Sequence, residues 1–312
     1  MRRKLLGATG VEVSALCLGT MSFGGDADEA EAARIYAAAR DAGVDFIDCA
    51  NVYNGGEAER ILGRLMAHER DSLVVTTKCH MVGGSSRRAI RAQVEASLRR
   101  LGTDRVDVLF LHHDADPARL EDRLRALEDI QRSGQAIYLG LSNYPAWRVA
   151  TALGVQALRG WGRIDVLQPM YSLVKRQAEV ELLPLAQAEG LGVIPYSPLG
   201  GGLLTGKYLR GETGRLAVNP AYRARYGEDW MHETARAFVA LAGELGVHPA
   251  TLAVAWAGAH PAVTAPIIGA RSLEQLRPSL AAAEFDMTDE LRARISALSR
   301  TPPPATDRLE EV

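Results

Sequence analysis

The sequence predicts an α/β fold, a single (β/α)8 TIM barrel over residues 1–312 with an N-terminal β-hairpin and a long loop after the seventh strand. Three observations carry it. Aliphatic, β-branched runs of buried-strand length recur along the chain, amphipathic helical spacing fills the intervals, and glycine stands between helix and following strand. Several runs end abruptly in a polar side chain: Phe46-Ile47-Asp48, Leu73 to Lys78, Val106 to His112, Ile137 to Asn143, Val166-Leu167-Gln168 and Val193 to Ser197. In a barrel the reacting groups gather where the strands end. Length alone admits two average domains or one large barrel, so the rhythm decides.

The chain opens on a hairpin, Lys4 to Leu6 returning through Val11 to Val13 across a glycine-containing turn. Ala15 to Leu18 is the first barrel strand and stops at Gly19; the others start near Phe46, Leu73, Val106, Ala136, Asp165, Leu191 and Val263. Ile90, Val94, Leu98 and Leu101 repeat at helical spacing before the strand at Val106, as do Leu120, Leu124, Leu127 and Ile130 before the strand at Ala136. Each helix therefore turns one apolar face to a sheet. Gly43, Gly102, Gly134 and Gly190 stand just past a helix and just before a strand, where a left-handed cap turns the chain. Tyr208 to Asp229 breaks the rhythm as a polar excursion with Tyr222, Tyr226 and Trp230 at or near its far end, and such excursions often act as lids. Residues 301–312 form a proline-containing tail. A doubly wound open sheet would usually carry a GxGxxG turn after an early strand. The chain has none: Gly200-Gly201-Gly202 comes late without that spacing, and Gly206-Lys207-Tyr208 lacks the hydroxyl residue of a phosphate loop.

A formal net charge of −2, with both signs spread throughout, offers no dense basic face for nucleic acid. The apolar runs fall short of the roughly 20 residues of a membrane span, and Met1-Arg2-Arg3-Lys4 leads into no signal-peptide core. The expectation is a soluble cytoplasmic protein. Cys17, Cys49 and Cys79 have no disulfide or zinc spacing and read as reduced core thiols. No metal site is expected: His112 and His113 come closest to a cluster, and neighbours in a strand point to opposite faces.

Asp48, Tyr53, Lys78 and His112 make a proton-transfer set. A tyrosine with an ordinary pKa of about 10 is a weak acid near neutrality, but a lysine at a strand end would stabilise its phenolate and lower that pKa. Asp48 would hold the lysine charged, and His112 would orient or protonate a substrate oxygen. Singly, each residue has a plainer role, as cap, loop anchor, solvated strand end or core histidine. Convergence makes the case, since the second, third and fourth strand ends lie side by side.

Leu18-Gly19-Thr20-Met21, Asp48-Cys49-Ala50-Asn51-Val52-Tyr53, Thr77-Lys78, Gly140-Leu141-Ser142-Asn143, and Tyr196-Ser197-Pro198-Leu199 through Thr205-Gly206-Lys207-Tyr208 resemble the aldo-keto reductases. The likeness runs from about residue 2 to residue 285, nearest the channel β-subunit-like and auxin-induced-type branches. It implies tyrosine as general acid, supported by lysine, aspartate and histidine, on Tyr53, Lys78, Asp48 and His112. His113 is the rival for the last role; His112, five residues after Asp107, fits the family spacing.

The resemblance further implies an NADP-dependent oxidoreductase acting on CH–OH donors, its nicotinamide cofactor extended across the strand ends and touching Gly19, Thr20 and Met21. Ser142, Asn143 and Gln168 are placed to bond a carboxamide, and Tyr196 to stack on the nicotinamide. Amides of Ser197, Leu199 and Gly201, around Pro198, would hold the diphosphate with Lys207 and Arg215. Arg271, after Gly269, stands where relatives often place a base against the 2′-phosphate, favouring NADPH. Gln275 matches the adenine edge, but Pro278 and Ser279 replace the usual glutamate and asparagine, so adenine recognition is expected to be looser.

The implied partner is a small carbonyl substrate; oligomeric state is open. Met21, Phe23, His113, Trp147 and the excursion aromatics are candidate pocket walls, with Trp147 read as a helix-packing residue. The short loop from Cys79 to Ser86 predicts an open pocket for varied aldehydes and ketones. Some relatives keep barrel and cofactor as regulatory channel subunits, which makes a nicotinamide-sensing module the alternative function.

Overall fold

The computed structural model describes residues 1–79, 83–114, 120–306, 308 and 310. The hairpin is β1 (Arg3–Leu5) and β2 (Glu12–Ser14), antiparallel with Lys4 opposite Val13. The barrel strands are β3 (Cys17–Gly19), β4 (Phe46–Asp48), β5 (Val74–Cys79), β6 (Val106–Leu111), β7 (Ala136–Ser142), β8 (Ile164–Gln168), β9 (Gly192–Val193) and β10 (Ile267–Ile268). They form one 8-stranded sheet in the order β10-β3-β4-β5-β6-β7-β8-β9, parallel throughout. The circle closes where the Thr264 amide donates to the Val193 carbonyl at 2.8 Å and the Ile267 amide to that of Pro195 at 2.8 Å.

Two strand positions differ from the expectation. The first begins at Cys17 rather than Ala15, and the last at Ile267 rather than Val263. The stretch before β10 is engaged elsewhere: the Val263 carbonyl accepts from Lys4 Nζ at 2.9 Å, and Thr264 bonds across to Val193.

Between strands run α1 (Glu29–Asp41), α2 (Glu57–Met66), α3 (Arg87–Leu101), α4 (Leu120–Arg132), α5 (Ala146–Arg159) and α6 (Leu182–Glu189). The expected apolar faces of α3 and α4 are buried, from Ile90 to Leu101 and from Leu120 to Ile130. Gly43, Gly102, Gly134 and Gly190 all have positive φ, as a left-handed cap requires. Sheet and helices enclose a large apolar cluster, and a smaller one fills the barrel interior around Phe46, Val108, Phe110 and Val166.

The excursion holds α7 (Arg215–Val218) and α8 (Pro220–Tyr226), ahead of α9 (Asp229–Glu244) and α10 (Pro249–Gly258); α11 (Leu273–Leu280) and α12 (Asp289–Ser296) follow β10. Tyr226 is fully buried, and Gly201 packs so closely that an added Cβ would stand 3.0 Å from the rings of Tyr222 and Tyr226. The excursion is thus anchored on the glycine loop through its tyrosines. Among the described residues no single helix is long and apolar enough to cross a membrane.

A cavity of about 540 Å³ lies at the barrel's other end. Lys4, Gly7, Gly190, His260 and Thr264 line it, all preceding the strands or at the hairpin, away from the strand ends that carry Asp48 and Lys78.

Candidate active site

Register does the first part of the assembly. Gly19, Asp48 and Thr76 are successive partners across β3, β4 and β5, and Lys78 stands one pleat repeat beyond Thr76 on the same face. Lys78 is wholly buried, and its Nζ donates to both Asp48 oxygens at 2.7 Å, to the Cys49 carbonyl at 2.7 Å and to the Tyr53 hydroxyl at 3.2 Å. Burial works against the ammonium charge, yet Asp48 and then Tyr53 outweigh it and hold Lys78 above its ordinary pKa.

Tyr53 sits just past β4 in a short 3-10 turn that Asn54 and Gly55 continue in left-handed conformation. Its ring meets that of His112 edge-on, centroids 6.1 Å apart. The lowered tyrosine pKa expected from the sequence is corrected here. Burial pushes the hydroxyl up to about 12; Lys78 pulls it down, and Asp48 pushes it up. Tyr53 therefore keeps its proton at neutral pH, with the Lys78 ammonium 3.2 Å from its hydroxyl.

His112 and His113 follow the end of β6 rather than lying within it. The His112 amide donates to the Cys79 carbonyl at 3.0 Å, and its ring is the one that meets Tyr53.

A second network spans the next strand ends. Asn143, at φ 59°, donates Nδ2 to the His112 carbonyl at 2.9 Å and to Ser142 Oγ at 3.0 Å, while its Oδ1 accepts from the Tyr196 hydroxyl at 2.6 Å. Ser142 Oγ donates to the Gln168 carbonyl at 3.0 Å, and Gln168 Nε2 donates to Asp48 Oδ1 at 2.8 Å. Gln168 thus joins the carboxamide-binding candidates to the proton-transfer set, a link the sequence did not suggest.

Four further side chains join the network behind these groups. Thr76 Oγ1 donates to Asp48 Oδ1 at 2.8 Å. Behind it, Thr77 Oγ1 donates to the buried carboxylate of Glu59 at 2.6 Å, which Arg100 Nε also holds at 2.7 Å. Strand periodicity around Lys78 was the available signal for Thr76.

The remaining cofactor candidates lie around the same rim. Thr20 is buried, its hydroxyl donating to the Asp48 carbonyl at 3.0 Å; Met21 is exposed beside it. Gly19 and Gly269 pack backbone to backbone, a Cβ on Gly269 falling 3.2 Å from the Gly19 carbonyl oxygen. Ser197 has φ 60°, Pro198 is buried, and the amides of Gly200 and Gly202 turn back to the carbonyls of Ser197 and Leu199. Lys207, Arg215 and Arg271 come together: after burial, Arg271 and then Arg215 lower the Lys207 pKa, while Glu212 opposes them. Arg271 Nε lies 3.0 Å from Asp26, and its amide donates to Gln275 Oε1 at 3.4 Å. Ser279 is buried, and the Pro278 carbonyl accepts from Thr251 Oγ1 at 2.6 Å.

Some pocket-wall expectations are overturned. Phe23 and Tyr226 are fully buried in the core, and Trp147, read as a packing residue, is 63% exposed on the first turn of α5. His80, Met81 and Val82, in the loop expected to leave the pocket open, lie outside the described residues. The three cysteines are buried, and burial raises each thiol's pKa, Cys49 and Cys79 to about 12, as inert core thiols require. Among the described residues no group of His, Cys, Asp and Glu could hold a metal ion.

Comparison with known proteins gives this geometry a family. The chain is 38% identical to the uncharacterized oxidoreductase YrpG of Bacillus subtilis, covering 93% of this chain and 94% of that protein. It is 35% identical to a probable voltage-gated potassium channel subunit beta of Oryza sativa, over 98% and 99% of the two chains. It is 34% identical to aflatoxin B1 aldehyde reductase member 4 of Homo sapiens, over 86% and 88%. The model of the aldo/keto reductase family matches residues 15–300, and with Asp48, Tyr53, Lys78 and His112 gathered at the barrel's strand ends, the chain belongs to that family.

Proposed function

We propose that this protein reduces aldehyde or ketone carbonyls to alcohols with NADPH, Tyr53 acting as general acid with Lys78, Asp48 and His112 in support. The observation that carries it is the 3.2 Å contact between the Tyr53 hydroxyl and a buried ammonium that Asp48 holds through both oxygens. Tyr53 donates its proton to the carbonyl oxygen, and Lys78 already stands where phenolate charge develops, so little reorganisation is needed. His112, edge-on to Tyr53, orients the carbonyl oxygen. Asp48 is the counter-charge that holds Lys78 in place.

The donor set suits a dinucleotide. Lys207, Arg215 and Arg271 outnumber the carboxylates beside them, Asp26 and Glu212, and leave the net positive charge that a diphosphate and a 2′-phosphate require. Tyr196, partly exposed and fastened to Asn143, offers a ring face to the nicotinamide. When bound, the reduced nicotinamide supplies the hydride. Gln168 and Asn143 would hold its carboxamide, fixing which ring face meets the substrate.

The test is steady-state oxidation of NADPH and NADH over a panel of aldehydes, ketones and sugars. Turnover is expected with NADPH, and Tyr53→Phe should abolish it while cofactor binding survives. A second reading rests on the likeness to a probable channel β subunit over nearly the whole chain: a redox-sensing subunit would bind cofactor tightly and turn over negligibly. Absence of binding by either cofactor would defeat both.

A further inference from the structure

We propose that Thr76 is a positioning residue for proton transfer, acting through Asp48: its hydroxyl takes up part of the carboxylate's charge and so leaves the Lys78 ammonium free to serve Tyr53. The proposal rests on the general-acid reading above and extends it to a residue that touches neither substrate nor cofactor.

Thr76 is the register partner of Asp48 across β4 and β5, wholly buried, with its hydroxyl 2.8 Å from Asp48 Oδ1. That oxygen also accepts from Lys78 Nζ at 2.7 Å and Gln168 Nε2 at 2.8 Å, whereas Oδ2 accepts from Lys78 at 2.7 Å. Lys78 must divide its donors among Asp48, the Cys49 carbonyl and Tyr53, and its Tyr53 contact, at 3.2 Å, is the longest of them. In a buried site each hydrogen bond to a carboxylate disperses its charge. Two neutral donors on Oδ1 therefore weaken the hold of Asp48 on the ammonium. They also weaken the direct effect of the Asp48 charge, which disfavours ionisation of Tyr53. Gln168 belongs to the proposed carboxamide contacts; Thr76, sealed from solvent, has Asp48 as its polar side-chain contact.

The neighbouring residue supplies the control. Thr77 is equally buried on the same strand but faces outward, donating to Glu59 in the helical layer. Its hydroxyl can be removed without touching Asp48.

Thr76→Val, Thr76→Ser and Thr77→Val are compared with the wild type in two readouts. One is the pH at which Tyr53 begins to ionise, followed through its ring-carbon NMR resonance and assigned with Tyr53→Phe. The other is the pH profile of kcat for carbonyl reduction. Thr76→Val should raise the onset of Tyr53 ionisation by about half a pH unit and lower kcat roughly 3- to 10-fold, leaving the KM for cofactor unchanged. Thr76→Ser should restore both, and Thr77→Val should lower melting temperature without moving the onset. If Thr76→Val fails to fold, Thr76→Ala makes the same deletion. An onset unchanged in the Thr76 variants, with only stability lost, overturns the proposal. A wild type without turnover would instead sink the enzymatic reading, and the resonance would still decide the role of Thr76.

Discussion

Asp48 shows how a charge is kept in a barrel core. Thr76, Lys78 and Gln168 donate to it from two strands and offset its desolvation. Breaking such a buried pair from one side is costly. Lys78→Met should destabilise the fold by about 3–5 kcal/mol, read as a lower denaturant midpoint at unchanged m-value, in addition to abolishing reduction. Arg271 is different in kind, because its partner Asp26 is half exposed and the pair adds little to stability. Arg271→Ala should leave the melting temperature nearly unchanged yet weaken NADPH binding roughly 10- to 100-fold, with NADH affected far less. Equal losses for both cofactors would remove this arginine from 2′-phosphate recognition. Asp48 and Lys78 were legible because each ends an apolar run; for Thr76 the signal was only its place two residues before Lys78 on one strand face, and a buried threonine there looks like ordinary β-propensity.

At the scale of elements, the hairpin is held to the barrel floor by close backbone approach. Gly7 has φ +58°, and a Cβ there would fall 2.4 Å from the Gly192 amide and 2.5 Å from the Gly190 carbonyl oxygen. Gly102, which caps α3 at φ +64°, has open space around it. Both residues are glycines in left-handed turns, but their substitutions should differ. Gly7→Ala should cost roughly 2–4 kcal/mol, strain and overlap together, and Gly102→Ala about 1 kcal/mol, measured by urea denaturation. The cap role of Gly102 was readable from its place between helix and strand. The role of Gly7 depends on a segment some 180 residues away that only the closed sheet brings near.

At the scale of the molecule, His260, just past α10, packs against the segment that follows β8. Its ring lies edge-on to Tyr171 at 5.8 Å, and Tyr171 stacks on Trp256 at 5.1 Å and donates to Glu179 at 2.6 Å. Burial, then Arg292, push the imidazole down to about 4; Arg176 and Lys4 add to this, and Glu179 opposes it. The folded value lies below the ordinary one, so the unfolded chain binds more protons between them. The contribution is complete above about pH 6.5 and is lost as pH falls toward 4, and solvent screening of the partly exposed ring reduces it to on the order of 2 kcal/mol. Melting temperature should therefore drop across that window, and His260→Gln should flatten the slope; an unchanged slope would place the acid sensitivity elsewhere. Glu179, which Arg176 and Tyr171 hold below the ordinary carboxylate range against its burial, adds its own loss at lower pH.

What the sequence determined by itself was the alternation of strand, helix and glycine cap, and the strand ends at which Asp48, Lys78, His112, Asn143 and Gln168 stand. These are local matters, written in side-chain periodicity and backbone preference. Tertiary structure alone decided that the last strand begins at Ile267, that Tyr226 is an anchor rather than a pocket wall, and that Gln168 bonds an aspartate 120 residues away. Closure of the barrel sets which strand ends become neighbours, and burial then decides which polar groups must find one another.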